Sequence, residues 1–496
     1  MDTSARRRIS PVTTEYNGNL LHWTLVAVAV GGIVSAIFYE AFVREYFTAS
    51  EEEQIPDMVV AVMSARENFA QRQTIRGTWM QHLHTGIIAE KVHVKFIIGK
   101  HGCNMHPDYR NYQHSCDPLQ LDAYDISKAK TFNLFKVDRG HENSAVYEFV
   151  VVPCLRIFIR NSVIVNKIGV LSNISQPVSV KLLSADGKET VASASFMTGI
   201  GEKHHGYIYK AIQPIILPQA FEGLLVAQNI ADSVQYRGSS ETTAPGLVDV
   251  TGMFADEEGI QPVVGVNAIS AGSLAFLVQD SDRLKAMISE RNQKNNDWHQ
   301  RESSLLVKLR EENARFGDIL FTDVTDTYAN LPAKLLQCFK LTAPKLDFKY
   351  LLKTDDDCYL NLPRIHRELQ MLTRSHLWWS NFRVNWPVQR FGKWRDAKYP
   401  SALYPPFACG AGYVLSHDLI LWLAANSKYL QQYQGEDVSM GIWLAAVGPT
   451  FVHDNRWSCD STCTDDSLSV AQLNSSSMHE LWSNEQTCGN PCSCPT

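Results

Sequence analysis

The chain lacks the features of several protein classes. Its 496 residues carry a net charge of −6, and no Lys- or Arg-rich run follows Arg6, Arg7 and Arg8. A nucleic-acid-binding surface needs clustered cations, so we expect no nucleic-acid partner. Internal repeats and low-complexity segments are also absent, and a chain of this length can bury at least one large core. We therefore expect one to three folded domains.

Charged side chains are also absent from residues 20–39, "LLHWTLVAVAVGGIVSAIFY". About 20 apolar residues in a helix span the roughly 30 Å hydrocarbon layer of a bilayer. No convincing A-x-A-like cleavage site follows, which favours an uncleaved anchor over a cleaved signal peptide. The N-terminal arginines would keep residues 1–19 in the cytoplasm and place the chain after a polar stem, 40–56, across the membrane. We expect a membrane-anchored, single-pass type II protein.

The C-x2-C pairs that are usual in zinc sites are missing, although the chain has 11 cysteines. The tail holds "CDSTC" and "CGNPCSC", for which disulfides of an oxidising compartment are a better interpretation than zinc ligation. The odd number leaves at least one thiol free or paired to another chain, and Cys338 is a candidate. We also expect a bridge between Cys103 and Cys116. Sequons at Asn173 and Asn474 suit glycosylation of a lumenal chain.

Two continuous apolar runs, 57–65 and 91–100, have the length of fully buried strands. Between them Phe69, Ile75 and Trp79 recur at helical spacing. Strand, helix and strand in this order predict a parallel sheet with helices on its faces, which is an α/β fold. This pattern stops near residue 102 and returns near 300, where "DILFTDV" and "FKYLLKTD" predict further strands.

From about 145 to 280 the chain shows short alternating runs separated by turn signals. No clear amphipathic helix occurs there, so we expect an inserted, all-β, sandwich-like module. The predicted organisation is a first α/β part at 57–101, a connecting segment at 102–144, the β-rich insert at 145–280 and a second α/β part with a Cys-rich tail at 281–496.

Three consecutive carboxylates, Asp355, Asp356 and Asp357, directly follow a predicted buried strand. Open α/β sheets bind ligands at the carboxyl ends of their strands. Adjacent like charges raise one another's pKa unless a cation neutralises them, and carboxylate oxygens suit Mg²⁺ or Mn²⁺. The triplet predicts a divalent ion that bridges the protein and a diphosphate. The alternative is a solvated acidic turn or a helix N-terminus.

A second pair of carboxylates, Glu436 and Asp437, precedes a stretch with apolar residues at helical spacing. Asp437 is either the N-cap of that helix or a general base. The helix dipole favours the anion, so we expect it to lower the pKa of Asp437 and to weaken a base.

Glycines, arginines and tryptophans give further candidates. Gly410 and Gly412 in "CGAGY" allow the backbone to approach a ligand closely. Arg72 and Arg76, one helical turn apart, either face phosphates or lie on a solvated helix face. The stretch "HLWWSNFRVNWPVQRFGKW" concentrates tryptophans, which stack on sugar rings or fill a core. The sugar-pocket candidates from this stretch are Trp379, Asn381 and Trp394.

The order of these motifs resembles that of a known family. "RQTIRGTW", "DILFTDVTDTYANLPAKLL", "LLKTDDDCYLNL", "YPPFACGAGYVLS" and "GEDVSMGIWLAAVG" are similar, in sequence and spacing, to the β-1,3-glycosyltransferases of glycosyltransferase family 31. The resemblance covers about 57–100 and 300–460. It implies a GT-A fold with one mixed α/β sheet, a D-x-D-type metal site, UDP-sugar donors and inversion at the anomeric carbon.

The resemblance also implies roles for single residues. Asp357 would ligate Mn²⁺ or Mg²⁺, with Asp355 as a second candidate, and Asp437 would be the catalytic base. The donor-binding residues that it implies are Arg72, Arg76, Lys334, Asp355, Asp356 and Glu436. Two positions depart from the family pattern. Where many members have a metal-binding His this chain has Cys459, with His453 too early, and "EDVSMG" replaces the more frequent "EDVYVG".

The motif combination and the large insert are most similar to family members that use UDP-GalNAc. We therefore expect β-1,3 transfer of N-acetylgalactosamine to a terminal N-acetylglucosamine of a glycoprotein glycan, of the O-mannosyl type found on dystroglycan, in the Golgi or endoplasmic reticulum. A β-1,3-galactosyl- or N-acetylglucosaminyltransferase is the alternative within this class. A catalytically silent, lectin-like protein is the alternative from another class, against which the intact Asp357 and Asp437 argue.

Overall fold

The computed structural model describes residues 56–84, 88–110, 114–119, 131–138, 147–173, 176–197, 200–230, 235–242, 246–264, 266–344, 347–389, 394–396 and 398–494. The predicted membrane span, 20–39, lies outside them, as do residues 1–19 and 40–55. Within the described part of the chain, no helix is long and apolar enough to cross a membrane.

Strands outnumber helices in the described residues. The strands are β1 Met58–Met63, β2 Val92–His101, β3 Phe132–Asn133, β4 Phe135–Asp138, β5 Tyr147–Val152, β6 Cys154–Ile159, β7 Val163–Leu171, β8 Val178–Ser184, β9 Thr190–Phe196, β10 Glu202–His204, β11 Tyr207–Leu217, β12 Glu222–Gln228, β13 Gln235–Thr242, β14 Val248–Phe254, β15 Ala268–Ser270, β16 Gly272–Val278, β17 Ile319–Thr325, β18 Tyr350–Asp355, β19 Tyr359–Leu360, β20 Leu377–Arg383, β21 Phe407–Ser416, β22 Thr450–His453 and β23 Ser469–Val470. The α-helices are α1 Phe69–Gly77, α2 Ser281–Phe316, α3 Leu331–Thr342, α4 Leu362–Leu369, α5 His417–Asn426, α6 Glu436–Leu444 and α7 Ser475–Cys488.

A seven-stranded sheet with the order β17-β2-β1-β18-β21-β20-β22 organises the α/β part. The strands β17, β2, β1 and β18 are parallel, and β21 runs antiparallel to both of its neighbours. The helix α1 connects the parallel neighbours β1 and β2, as the strand-helix-strand pattern predicts. The prediction of a mixed, mostly parallel α/β sheet is therefore confirmed.

The central strand β1 is buried on both faces, which explains its continuous apolar sequence. Met58, Val60 and Val62 pack with α1, α4 and α7 on one face. Val59 and Ala61 point the other way and pack with α3, α5 and α6. Because successive side chains of a strand alternate between faces, helices on both faces require apolar residues at every position.

Between Phe132 and Val278 the described residues form strands, turns and irregular segments but no helix. The sheets β10-β11-β7-β16-β3 and β14-β6-β12-β8-β9 share one apolar cluster, to which Ile168 of β7 and Leu182 of β8 both belong. That this β-rich region is a separate inserted sandwich with boundaries at 145 and 280 stays a prediction.

The helix α2 has 36 residues and joins the two cores. At 1.5 Å per residue it is about 54 Å long. Leu284 near its start belongs to the apolar cluster of the β-rich region, and Leu309 near its end belongs to a cluster of the α/β sheet. One rigid element therefore connects the β-rich region to the sheet.

Four disulfides stabilise the chain, and the expected bridge between Cys103 and Cys116 is one of them. The others are Cys409–Cys459, Cys463–Cys492 and Cys488–Cys494. The remaining cysteines, Cys154, Cys338 and Cys358, are buried and unpaired. The predictions of a disulfide-bonded tail and of a free Cys338 are confirmed.

Candidate active site

The carboxyl ends of the parallel strands meet at one edge of the seven-stranded sheet. Met63, the last residue of β1, pairs with Asp355, the last residue of β18. Because β21 is antiparallel to β18, its first residues also lie at this edge, where Gly410 approaches Glu436 and Asp437. An open α/β sheet binds its ligands at such an edge. The acidic triplet and the Glu436–Asp437 pair therefore belong to one site.

The carboxylates of the triplet have different surroundings. Asp355 Oδ1 lies 2.8 Å from Lys353 Nζ, and its side chain is 38% exposed. Asp356 is buried and accepts a hydrogen bond from Asn68 Nδ2 at 3.0 Å. Asp357 is half-buried, with Cys358 Sγ 3.4 Å from its Oδ1. The alternative of a uniformly solvated acidic turn is wrong, because Asp356 is buried and Asp355 is paired with a cation.

Lys353 holds the site together from inside the sheet. Its side chain is fully buried, and Nζ donates to Glu436 Oε1 and to the carbonyl oxygen of Gly410, both at 2.6 Å. With Asp355 it thus links β18, β21 and α6. Burial opposes the charge of Lys353, but Asp355 and Glu436 outweigh that effect and raise the pKa of Lys353 well above its ordinary value. The charged ammonium group compensates two carboxylates that would otherwise repel each other.

Burial and the neighbouring charges together shift the pKa of Asp355. Burial raises the pKa of Asp355 to about 7, Lys353 opposes this shift, and the neighbouring charges of Glu436 and Asp357 add to it. Burial likewise raises the pKa of Asp356, against the hydrogen bonds from Ser64 and Asn68. Raised pKa values of Asp355 and Asp356 are what burial beside other carboxylates is expected to give.

Asp437 lies in the first turn of α6 and is not its N-cap. The N-cap is Gly435, whose φ of 94° suits glycine, and a Cβ there would lie 2.7 Å from Asp437 Oδ1. Asp437 Oδ1 accepts the N–H of Val438 at 2.8 Å. Burial and Glu436 nevertheless raise the pKa of Asp437 to about 7, although Val438, Lys353 and Arg383 act in the opposite direction. The expectation of a lowered pKa is therefore wrong, and a base of this pKa suits neutral pH.

Proteins of known activity are similar to this chain. Residues 299–455, which include the triplet and the start of α6, match the galactosyltransferase family. UDP-GalNAc:β-1,3-N-acetylgalactosaminyltransferase 2 of Danio rerio is 38% identical over 458 residues, covering 89% of this chain and 91% of that protein. The chain belongs to the galactosyltransferase family, glycosyltransferase family 31. It is a hexosyltransferase.

Two further members show how far the similarity extends. The Homo sapiens protein of the same name is 37% identical over 456 residues, which cover 88% of this chain and 89% of that protein. β-1,3-Galactosyltransferase 6 of Mus musculus is 38% identical over 154 residues, covering 30% of this chain and 47% of that protein. The similarity to the first two proteins extends over most of this chain, whereas the similarity to the third covers less than a third of it.

In this galactosyltransferase-family member, the two arginines of α1 are buried in ion pairs. Arg72 Nη2 lies 2.8 Å from Glu312 Oε2, and its Nη1 donates to the carbonyl oxygen of Ala65 at 2.7 Å. Arg76 pairs with Glu312 and with Asp318, each at 2.7 Å. A solvated helix face is therefore excluded. Both arginines form ion pairs within the protein, so direct contact with the donor stays a prediction.

Lys334 has a similar internal position. Its Nζ donates to the carbonyl oxygen of Ser64 at 2.7 Å and to Asp326 Oδ1 at 2.9 Å. Ser64 and Ala65 directly follow β1, so Lys334 and Arg72 both fix the loop at the carboxyl end of this strand. Their contribution to donor binding through that loop is a proposal.

The pocket candidates of the tryptophan-rich stretch separate into core and surface. Trp379 is 1% exposed and lies edge-on to Trp457, so its assignment to a sugar pocket is wrong. Asn381, two residues after Trp379 on β20, is half-buried, and its side-chain amide donates to the carbonyl oxygen of Trp457 at 3.2 Å. Trp394 is 57% exposed, and its Nε1 donates to the hydroxyl of Tyr328 at 3.1 Å. Only Trp394 of these three presents a large apolar surface to solvent.

The two candidate glycines also differ. A Cβ at Gly410 would meet Glu436 Oε1 at 3.4 Å and Asp437 Oδ2 at 3.5 Å, so this glycine lies between the two carboxylates. A Cβ at Gly412 would lie 2.8 Å from the ring of Trp457, so this glycine is required by core packing. The pocket assignment is therefore wrong for Gly412.

A divalent metal fits this site only together with a ligand that supplies oxygens. In the described part of the chain, no group of three or more His, Cys, Asp or Glu side chains is placed to hold an ion. His453 Nδ1 accepts the N–H of Phe382 at 3.0 Å, so this nitrogen is occupied by a hydrogen bond within the protein. Mg²⁺ commonly uses one or two carboxylates together with phosphates and water. Asp357 and Asp355 suit that type of site.

Sequence reasoning missed Lys353 and Tyr328. A lysine within an apolar strand signals a buried charge, but its partners come from segments far along the chain. Tyr328 follows β17, and the charges of Glu436, Asp437 and Asp355 contribute, after burial, to raising its pKa to about 12. A single tyrosine in a loop gives no comparable signal in the sequence.

The two sequon asparagines are exposed. Asn474 is also the N-cap of α7, where its Oδ1 accepts the N–H of Ser477 at 2.9 Å. Exposure is compatible with glycosylation at Asn173 and Asn474, which stays a prediction.

Proposed function

We propose that this hexosyltransferase moves N-acetylgalactosamine from UDP-GalNAc, in β-1,3 linkage, to a terminal N-acetylglucosamine of a glycoprotein glycan. One observation supports the chemistry above all: Gly410 and Lys353 bring the Glu436–Asp437 pair and the acidic triplet to one sheet edge. The choice of donor is supported by similarity over most of the chain to proteins named for this activity. The most specific part of the proposal is that the acceptor is an O-mannosyl glycan of the dystroglycan type.

In the proposed reaction Asp437 accepts the proton of the acceptor hydroxyl. The hydroxyl oxygen forms a bond to the anomeric carbon of the sugar while the bond from that carbon to the diphosphate oxygen breaks. UDP leaves with the bonding electrons, and the configuration inverts because attack and departure occur on opposite faces. An aspartate whose pKa is about 7 is suited to this proton transfer.

The remaining charged groups keep the reactants in place. Lys353 holds Glu436 beside Asp437 and fixes Asp355 at the end of β18. A divalent ion would supply positive charge to the leaving diphosphate, and Asp357 would hold it with Asp355 as a second ligand. Lys334 and Arg72 fix the loop after β1, which would lie against the nucleotide.

The cellular location belongs to the same proposal. A type II anchor at 20–39 would place residues 57–496 in the lumen of the Golgi or endoplasmic reticulum. The disulfides support an oxidising compartment.

A donor panel tests the function. The purified, detergent-solubilised full chain is incubated with UDP-GalNAc, UDP-galactose or UDP-N-acetylglucosamine, Mn²⁺ and an acceptor that ends in N-acetylglucosamine. We expect product only from UDP-GalNAc, with a β-1,3 linkage by NMR, and no product after chelation. Product from another donor would contradict the donor assignment. Full activity in the presence of chelator would remove the metal from the proposal.

A further inference from the structure

Trp394 contacts Tyr328, a residue that follows β17 at the far side of the sheet edge that carries the candidate active site. Its indole N–H donates to the hydroxyl of Tyr328 at 3.1 Å, although Trp394 belongs to the connection between β20 and β21 and Tyr328 follows β17. In the sheet order β17-β2-β1-β18-β21-β20-β22, the strands β2, β1 and β18 lie between β17 and β21. The contact between Trp394 and Tyr328 therefore bridges the edge at which β1 and β18 end.

The segment that carries Trp394 is hydrogen-bonded and packed beside the start of α6, the helix that holds Asp437. Asp396 Oδ2 accepts the hydroxyl of Tyr404 at 3.2 Å and the N–H of Gln434 at 3.4 Å. The ring of Tyr399 packs edge-on to Tyr433 with 5.3 Å between the centroids. Because Gln434 comes directly before Gly435, the N-cap of α6, this segment runs along the loop that leads into Asp437.

Tyr328 places the other end of the contact near the same carboxylates. Its hydroxyl is in the electrostatic field of Glu436, Asp437 and Asp355. The indole of Trp394 thus contacts a tyrosine that lies in the field of these carboxylates, and the Trp394 side chain is 57% exposed. A macromolecular acceptor must approach from the solvent side, whereas the donor nucleotide would lie on the buried residues at the strand ends.

A pyranose has an apolar face of C–H groups and a rim of hydroxyls. An exposed aromatic ring stacks on that face, and a carboxylate beside the ring accepts a hydroxyl. We propose that Trp394, held in place by Tyr328, is the platform on which the acceptor pyranose stacks while its hydroxyl reaches Asp437. This inference deepens the proposed function and depends on it for the role of Asp437.

Exposure alone does not select Trp394. Trp386 is 40% exposed and lies beside Arg383, whose guanidinium group is 4.4 Å from the centroid of its ring. Trp422 is 37% exposed and lies on α5, where it accepts a hydrogen bond from Asn426 through its backbone. Trp422 has no described contact with the catalytic edge and provides a matched control.

The test compares Trp394→Ala, Trp394→Phe, Tyr328→Phe and Trp422→Ala in the full chain. Initial rates are measured against acceptor concentration at saturating donor, and hydrolysis of the donor is measured without acceptor. Aromatic stacking predicts an increase of about ten-fold or more in the acceptor KM for Trp394→Ala. We expect a smaller increase for Trp394→Phe and for Tyr328→Phe. The donor KM, donor hydrolysis and the Trp422→Ala variant should remain within twofold of the wild type.

Direct binding separates this inference from the proposed function. Titration calorimetry with pyranosides that end in N-acetylglucosamine, galactose or glucose needs no transfer, so it reports on the platform even if the donor assignment fails. We expect Trp394→Ala to weaken binding of the preferred pyranoside about ten-fold with an unchanged melting temperature. An acceptor KM and affinity within twofold of wild type, a rise in donor KM instead, or no pyranoside binding to the wild type would each overturn the inference.

Discussion

Arg72, Lys334 and Lys353 are buried in the α/β part, whereas every charged residue of 132–278 whose side chain the structure describes is at least partly exposed. Its buried polar side chains are Asn133, Ser270 and Ser273. Burying a charge is costly unless partners compensate it, so packing alone would favour an apolar core in both regions. The buried charges of the α/β part include Lys353, which pairs with Asp355 and Glu436 of the candidate active site.

The largest effect should follow from Asp437→Asn. A general base contributes roughly 10²- to 10⁴-fold to a rate, so we expect kcat to fall by about that factor with little change in affinity for the donor. Steady-state kinetics and donor titration measure the two quantities. Asp282→Asn is the control, because the side chain of Asp282 is 93% exposed on α2. A loss of less than tenfold in Asp437→Asn would contradict its role as the base.

Lys353→Met tests whether the buried charges of the α/β part depend on one another. Removing the lysine leaves Glu436 buried without its cation, which should lower the free energy of unfolding by about 3–5 kcal/mol and reduce kcat by less than Asp437→Asn does. Urea unfolding and steady-state kinetics would show both losses.

The matched variant for this test comes from the β-rich region. Lys167 pairs with Glu202 at a site where the two side chains are 29% and 61% exposed, so Lys167→Met should lower the free energy of unfolding far less than Lys353→Met does. Equal stabilities of Lys353→Met and Lys167→Met would show that the distinction between the two regions is wrong.

Ile168→Ala tests the apolar core of the β-rich region. The side chain of Ile168 is fully buried, so its truncation should cost about 2–5 kcal/mol of stability. At a temperature where the variant remains folded, we expect kcat and both KM values to stay within twofold of the wild type. A large change in kcat would indicate that this core affects the catalytic edge, with α2 as the connection.

Asp57→Asn should have the smallest effect. Burial raises the pKa of Asp57, but hydrogen bonds with Lys349 and His366 outweigh it and lower the pKa below the ordinary value. The carboxylate therefore stabilises the fold above its unfolded pKa of about 3.9, and this contribution is lost as the pH falls through the lower folded value. Urea unfolding between about pH 5 and pH 3 should show a weaker pH dependence in the variant. An unchanged slope would contradict this contribution.

The parts of the fold that depend on local sequence could be predicted. The runs at 57–65 and 91–100 became β1 and β2, since a strand buried on both faces must be apolar throughout. The triplet was predicted at a strand end because an apolar run directly precedes it. The expected bridge between Cys103 and Cys116, which are 13 residues apart in the sequence, is present.

Contacts between distant segments could not be predicted. Arg72 meets Glu312 and Lys353 meets Glu436, and nothing in the sequence near either cation identifies its partner. Trp379 and Trp394 belong to one tryptophan-rich stretch, yet Trp379 is in the core and Trp394 is at the surface. In a strand covered on both faces, alternation no longer distinguishes a core residue from a pocket residue.

The pairing of β1 with β18, in which Met58 lies beside Tyr350, has a consequence for synthesis in the cell. Roughly 290 residues separate these partners, and a ribosome that adds roughly 5–20 residues per second needs about 15 to 60 s to produce them. During that time β1 and β2 are outside the ribosome without the strand that completes their core, and an unpaired apolar strand edge is prone to aggregation. We expect the nascent chain to require chaperones until β18 emerges, and substitutions that slow folding of the intervening β-rich region to reduce the yield of enzyme rather than its turnover.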